Sequence, residues 1–127
     1  MLTILLLLAP LSLIIADGIP GGVTNVDVND PENMKKIWKG LSAINAASTT
    51  PNYLVPVKVL SATTQVVSGT IDTWEVEMAE TDCGKFNTNF DRYECVPSGN
   101  SPHQIYRVTL WSEPWLKHYE YKAEKIN

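Results

Sequence analysis

The hydrophobic periodicity of this chain changes once, at Ser48-Thr49-Thr50-Pro51, and that change constrains the fold more than any other feature. Before it, apolar residues stand at Met34, Ile37, Trp38, Leu41 and Ile44, the i, i+3, i+4, i+7 spacing of a helix with one stripe against a core. Asp30-Pro31-Glu32 supplies the start. Asp30 can cap exposed backbone N–H groups, and Pro31 suits the first helical position, where its missing donor is not needed. Gly40 weakens the helix locally, and the residue before Pro51 is biased out of the helical region.

After the change the chain turns β-branched. Val57 to Leu60, Ser61 to Gln65 and Val66-Val67 read as one long strand. Ser68-Gly69-Thr70 supplies a turn. Trp74, Val76 and Met78 then alternate with Thr73, Glu75 and Glu77, giving a second strand with one buried and one wet face. A third strand runs from about Gln104 to Trp111, where Tyr106, Val108 and Leu110 alternate with Arg107 and Thr109. A fourth follows Trp115, with His118 and Glu120 alternating against Tyr119 and Tyr121. One helix followed by two antiparallel hairpins places the chain in the α+β class, a sheet with a single helix across one face.

A length of 127 residues suits one domain, and 44% apolar with 19% charged residues is ordinary for a globular protein. The net charge of −4 is spread without a Lys/Arg cluster, so neither nucleic acid nor an anionic membrane surface is favoured as a partner. Leu2 to Ile15 is an apolar run with no charge before Asp17, too short to span a bilayer. Its position at Met1 and the small Ala16 at its end read as a secretory signal over residues 1–16, although a basic n-region is absent. Cleavage there leaves residues 17–127 as the mature domain, beginning Asp17-Gly18-Ile19-Pro20-Gly21.

The two cysteines, Cys83 and Cys95, stand in a polar stretch rich in Asn, Asp and Gly. In an oxidising compartment they should pair, and a bridge closing a loop of this size stabilises a fold by about 3 kcal/mol in the chain-entropy model. A zinc site and a reactive thiol are the rival readings. No Cys-x-x-Cys occurs, and His103 and His118 fall in patterns read as strand and surface, so no metal is expected. The polar segment from Thr81 to Pro102 is too long for a simple turn, and a disulfide would order it.

No catalytic set emerges. Nucleophilic catalysis needs a base within reach of an activated Ser, Cys or Thr, and the chain has two His and no nucleophile-elbow or Cys–His signature. Glu75 and Glu77 project from one strand face, as a carboxylate pair needs, but a solvated face explains them equally well. Two turns carry more information. Val66 and Val67 beside Gly69 lie at a hairpin end that a core cannot easily cover on both sides, so they mark either an interface or the close of a buried strand. Gly69 can take positive φ and let a partner's backbone approach. Ser112-Glu113-Pro114-Trp115 is a second turn, and its indole is either a core cover or a binding anchor.

Taken together, Gly21-Gly22, Gln65-Val66-Val67-Ser68-Gly69 and Pro114-Trp115 resemble, in order, the pattern of the cystatin family. In that family a glycine near the mature N-terminus, a Gln-x-Val-x-Gly hairpin and a Pro-Trp hairpin form a wedge that plugs the cleft of papain-like cysteine proteases. From Gly21 to about Met78 the pattern overlays secreted cystatins without a gap, and Cys83–Cys95 falls where those proteins carry their first disulfide. Essentially the whole mature chain is covered. The resemblance implies a cystatin-like fold, with a short extra strand near Val23 to Val28 completing a curved five-stranded sheet wrapped round its helix. It also implies a secreted, extracellular, monomeric protein that is no enzyme and has no cofactor, a reversible competitive inhibitor of papain-like proteases such as cathepsins. Ile19, Pro20 and Gly21 would then lie in the unprimed subsites. Gln65, Val66, Val67, Ser68 and Gly69 would lie beside the catalytic thiolate, and Pro114 and Trp115 on the primed side.

The alternative is a cystatin-fold binding or signalling module without inhibition, which the rigid Pro20 before Gly21 keeps open. Two departures qualify the resemblance. Tyr106 stands where the first cysteine of the family's second disulfide would be, so packing alone must hold the C-terminal hairpin. Some secreted cystatins also block the asparagine-specific protease legumain through a Ser-Asn-Asp/Glu loop after the helix. This chain has Ser48-Thr49-Thr50 there, which implies no such activity.

Overall fold

The computed structural model describes residues 22–86 and 90–127. Its strands are β1 (Val23–Asn25), β2 (Asn52–Val67), β3 (Gly69–Gly84), β4 (Gln104–Glu113) and β5 (His118–Lys125). They form one antiparallel sheet in chain order, and two short helices, α1 (Pro31–Lys39) and α2 (Leu41–Ala47), pack on it. The class is α+β, as expected: helices packed on one five-stranded antiparallel sheet. The signal segment 1–16 and the arm residues Ile19, Pro20 and Gly21 lie outside the described residues.

α1 starts as its sequence dictates: the Asp30 carboxylate accepts from the Glu32 N–H at 3.0 Å, and Pro31 takes the first position. Lys36 and Lys39 sit in its last turn, where the partial negative charge of the helix end favours cations. The helix expected to run on from Pro31 is divided at Gly40. In an unbroken α-helix the Lys36 carbonyl would accept from Gly40 N–H, but here it accepts from the Tyr121 hydroxyl at 2.8 Å. Gly40 N–H turns instead to the Ile37 carbonyl at 3.0 Å, a tighter turn. The Tyr121 ring fills the space a side chain at residue 40 would need, so only glycine fits.

The core lies between the helices and the inner face of the sheet. Ile37, Leu41 and Ile44 are fully buried, and they face a layer formed by Trp74, Val76 and Met78 of β3 and Tyr106, Val108 and Leu110 of β4. The register pairs Trp74 with Val108 and Val76 with Tyr106, so both alternations put their apolar set on one side. Outward, Glu75 pairs with Arg107 at 3.3 Å and Glu77 with His103 at 3.3 Å. Arg107 also reaches Glu124 at 2.9 Å, so Glu75 belongs to a cross-strand cluster, while Glu77 pairs with the residue just before β4.

Among the described residues no buried side-chain nitrogen or oxygen lacks a hydrogen-bond partner. Asn33 accepts from Trp74 Nε1 at 3.0 Å and donates to the Asp27 carbonyl at 2.8 Å, tying the helix start to β3 and to the segment after β1. β2 begins at Asn52, ahead of the β-branched run, and includes Pro56. Two features accommodate the proline: the register shifts between Pro56 and Lys58, and β1 pairs only with Thr63 to Gln65, leaving the earlier part of β2 at the sheet edge.

β3 also runs further than the alternation suggests, through Gly84, so Cys83 stands on a strand. Cys95 follows a single 3-10 turn over Arg92–Glu94, and the two sulfurs form a disulfide. Neither the zinc nor the free-thiol reading therefore applies to these cysteines. An isolated bridge between Thr81 and Pro97 and a bond from Ser98 N–H to the Glu80 carbonyl at 2.8 Å hold the return segment against β3.

Candidate functional site

Three segments converge at one end of the sheet. β2 and β3 meet there in a turn, with Val67 opposite Gly69 and Ser68 between them. The β3–β4 ladder ends there at Thr70 opposite Ser112. Val23 pairs with Gln65 on the other side of β2, so Gly22, the first described residue, lies one step nearer the tip. Antiparallel pairing thus brings chain segments from residues 22–23, 65–69 and 113–118 to a common edge.

The first tip presents apolar surface. Val66 is 52% exposed and Val67 is also exposed, whereas Gln65 and Gly69 are half-buried. Gly69 has φ +85°, a left-handed conformation that a β-carbon disfavours. It is doubly constrained, because a β-carbon there would collide with the Ser112 carbonyl oxygen. The two hairpins approach each other at this glycine.

The second turn is one 3-10 turn over Pro114–Leu116, closed by Lys117 at φ 51° with its N–H on the Pro114 carbonyl at 3.0 Å. Proline fixes the first φ, and the bound amide holds the turn compact. Trp115 stands outward, 63% exposed, with no role in the buried core. The core-cover alternative for this indole therefore does not hold. Leu116 beside it and Val23 across the sheet are comparably exposed, extending the apolar edge. Neither was visible as a site residue in the sequence, although Leu116 directly follows the Pro-Trp pair.

Behind the exposed groups lies a polar cluster that sequence reasoning missed. The Ser68 hydroxyl donates to Glu113 Oε2 at 2.9 Å, and the Trp111 indole N–H donates to the Ser68 carbonyl at 2.8 Å. His118 Nδ1 lies 3.1 Å from Glu113 Oε1, and its ring stands edge-on to the Trp111 ring, with centroids 5.0 Å apart. The signal available in sequence was the polar pair Ser112-Glu113 at the start of an otherwise apolar turn. Both residues are buried.

No group of three or more His, Cys, Asp or Glu side chains that could hold a metal occurs among the described residues. The edge presents exposed apolar groups on two turns, with backbone and polar side chains engaged behind them, an arrangement suited to contact with a partner.

Comparison with known proteins gives the family of the fold. Residues 21–124 match the model of the cystatin domain, and the chain belongs to the cystatin family. It is 33% identical over 129 residues to cystatin cpi-1 of Caenorhabditis elegans, covering 95% of this chain and 91% of that one. It is 34% identical to cystatin-1 of Crotalus adamanteus, covering 88% and 84% respectively. Among solved structures, Al-CPI is similar with a TM-score of 0.71 and 37% identity, over 84% of this chain and all of that one. The salivary cystatin of the soft tick Ornithodoros moubata shares the fold at a TM-score of 0.71 and 20% identity, over 86% of this chain and 100% of that chain.

Proposed function

We propose that this protein is a secreted, reversible, competitive inhibitor of papain-like cysteine proteases of the cathepsin type. One observation supports this reading above the others: Val66, Val67 and Trp115, from turns far apart in sequence, stand exposed on the same edge. Membership of the cystatin family, whose members are generally cysteine protease inhibitors, supports it independently.

In this reading the edge enters the protease cleft. The Gln65 to Gly69 tip fills the space beside the catalytic thiolate, and Pro114 and Trp115 pack on the primed side. Ile19, Pro20 and Gly21 occupy the unprimed subsites and turn aside at Gly21, so no peptide bond meets the thiolate. Tryptophan at such a position is a typical hot-spot residue, because it desolvates a large area with few rotors to immobilise. Turns already held by a sheet lose little entropy on docking, which leaves more of the contact energy as affinity. Release through a signal at residues 1–16 places the protein outside the cell, where the disulfide persists.

The test is a papain assay on residues 17–127, following hydrolysis of a small fluorogenic peptide at increasing substrate. Inhibition that substrate relieves, and that dilution reverses, is expected. Unaffected hydrolysis at micromolar protein would instead favour a binding module that shares the fold but not the activity.

A further inference from the structure

We propose that Glu113 is a positioning residue that locks the two hairpin tips into one rigid body. Its effect on protease binding rests on the wedge reading above, but the rigidity does not. The backbone ladder between β3 and β4 ends at Thr70–Ser112. Ser68 and Pro114–Trp115 project past that last pair, so backbone pairing between these strands no longer fixes one tip relative to the other. Side chains take over at this point.

The Glu113 side chain is only 12% exposed, and each of its oxygens has its own partner. Oε2 takes the hydroxyl of Ser68 in the first tip, and Oε1 faces Nδ1 of His118, the residue opposite Glu113 across the second turn. The same carboxylate therefore closes the mouth of its own hairpin and reaches across to the other. Trp111 completes a ring of contacts: its N–H holds the Ser68 carbonyl, and its indole meets the His118 ring at an interplanar angle of 84°.

Ser68, Glu113, His118 and Trp111 thus form a closed cycle, and swinging either tip away from the other breaks at least two of its contacts. Gly69 permits the close approach, since a side chain there would push the Ser112 carbonyl and the adjoining Glu113 away. A carboxylate suits the centre of such a cycle because it accepts on both oxygens, and bonds to a charged acceptor are stronger than neutral ones. An inhibitor that must fit two tips into one cleft gains affinity when their separation is set beforehand.

The test uses residues 17–127 as wild type, Glu113→Ala, Glu113→Gln and Ser68→Ala, with two readouts: amide hydrogen exchange over 65–70 and 113–118, and dissociation from papain. Glu113→Ala is expected to speed exchange in both tips while leaving α1 and the centre of β3 unchanged. Its dissociation from papain is expected to be about tenfold faster, the scale of one lost hydrogen bond to a charged group. Glu113→Gln, whose amide can still accept from Ser68 and bond to His118, should stay within about threefold of wild type.

Ser68→Ala leaves the second turn's sequence intact, yet it should speed exchange over 113–118, and it keeps the question open to decision if Glu113→Ala fails to fold. In a Trp115→Ala background the effect of Glu113→Ala on dissociation should largely vanish, because the turn it positions has lost its main contact. A general weakening of the fold would act equally in both backgrounds, and that result overturns the proposal. So does unchanged exchange at 113–118 in Ser68→Ala. Should wild type fail to inhibit papain, the wedge reading falls, and the exchange measurements still decide whether Glu113 locks the tips.

Discussion

The Tyr121 ring stands where a side chain on Gly40 would have to be, and its hydroxyl holds the Lys36 carbonyl at 2.8 Å. One contact thus breaks the helix and docks β5, the edge strand of the C-terminal hairpin, for which no second disulfide is available. Burial, with a smaller contribution from the nearby Asp72 carboxylate, pushes the Tyr121 phenol above its usual pKa.

Gly40→Ala sets two effects in opposition. At φ −97° alanine fits the backbone without strain and restricts the unfolded chain, worth about 0.4–1 kcal/mol, whereas a methyl group driven into an aromatic ring costs about 1–3 kcal/mol in overpacking and displaces the ring as well. The second effect should win, so urea denaturation is expected to show Gly40→Ala less stable than wild type. In a Tyr121→Ala background the obstruction is gone and the same substitution should become stabilising. A stabilising effect in the wild-type background would contradict the packing argument.

Asn45 is buried at the second helix and makes three hydrogen bonds: its amide donates to the Leu41 carbonyl at 3.1 Å and the Leu54 carbonyl at 3.0 Å, and its oxygen accepts from Leu54 N–H at 2.7 Å. Asn45→Ala strips two groups of Leu54 of their partner in the core, so a loss of about 3 kcal/mol or more is expected in chemical denaturation. Commitment to the core also removes Asn45 as a legumain-binding residue. The exposed position of the loop is Thr49, which lacks the amide an asparagine-selective pocket needs. A legumain assay should therefore show no tight inhibition by the native chain and some gain in Thr49→Asn with Thr50→Asp. Strong native inhibition, lost on changing Asn52, would refute this assignment of the loop.

The elements legible in sequence are those whose causes are local. The Asp30 cap, the Ile37-Leu41-Ile44 stripe and the alternations of Trp74-Val76-Met78 and Tyr106-Val108-Leu110 appear in the structure as the pattern suggests. The helix break was not legible in full, because Gly40 is explained by a tyrosine at the far end of the chain. The start of β2 was hidden by Pro56, which reads as a strand breaker until the register shift and the open edge are known. At the site, turn chemistry places Val66, Val67 and Trp115 at hairpin ends but leaves open whether they face a partner or the core; the structure exposes all three. The Ser68–Glu113–His118–Trp111 cycle was not legible, since it depends on how the β3–β4 register brings separate turns together.

Reduction of Cys83–Cys95 should destabilise the fold without dismantling the binding edge. Cys83 lies near the end of β3 opposite to Gly69, roughly 45 Å away along an extended strand. Replacing both cysteines with serine is expected to lower stability by about 3 kcal/mol while papain inhibition is retained under conditions where the protein stays folded. Equal unfolding midpoints would remove the structural role of the bridge.

Truncation through Gly21 tests the arm. Both turns remain, so association with papain should change little, while the dissociation rate rises because the unprimed side is no longer held. An unchanged dissociation rate would mean that Ile19 and Pro20 make no useful contact.

The central claim is that the edge carrying Val66 and Trp115 is the protease-binding surface. Its most direct test is tight-binding titration of papain with Val66→Asp/Trp115→Ala, alongside far-ultraviolet circular dichroism. Both side chains are exposed, so the fold should be preserved, and a charge and a truncation at the two contact points should abolish inhibition. A folded double mutant that still titrates papain as tightly as wild type would contradict the account.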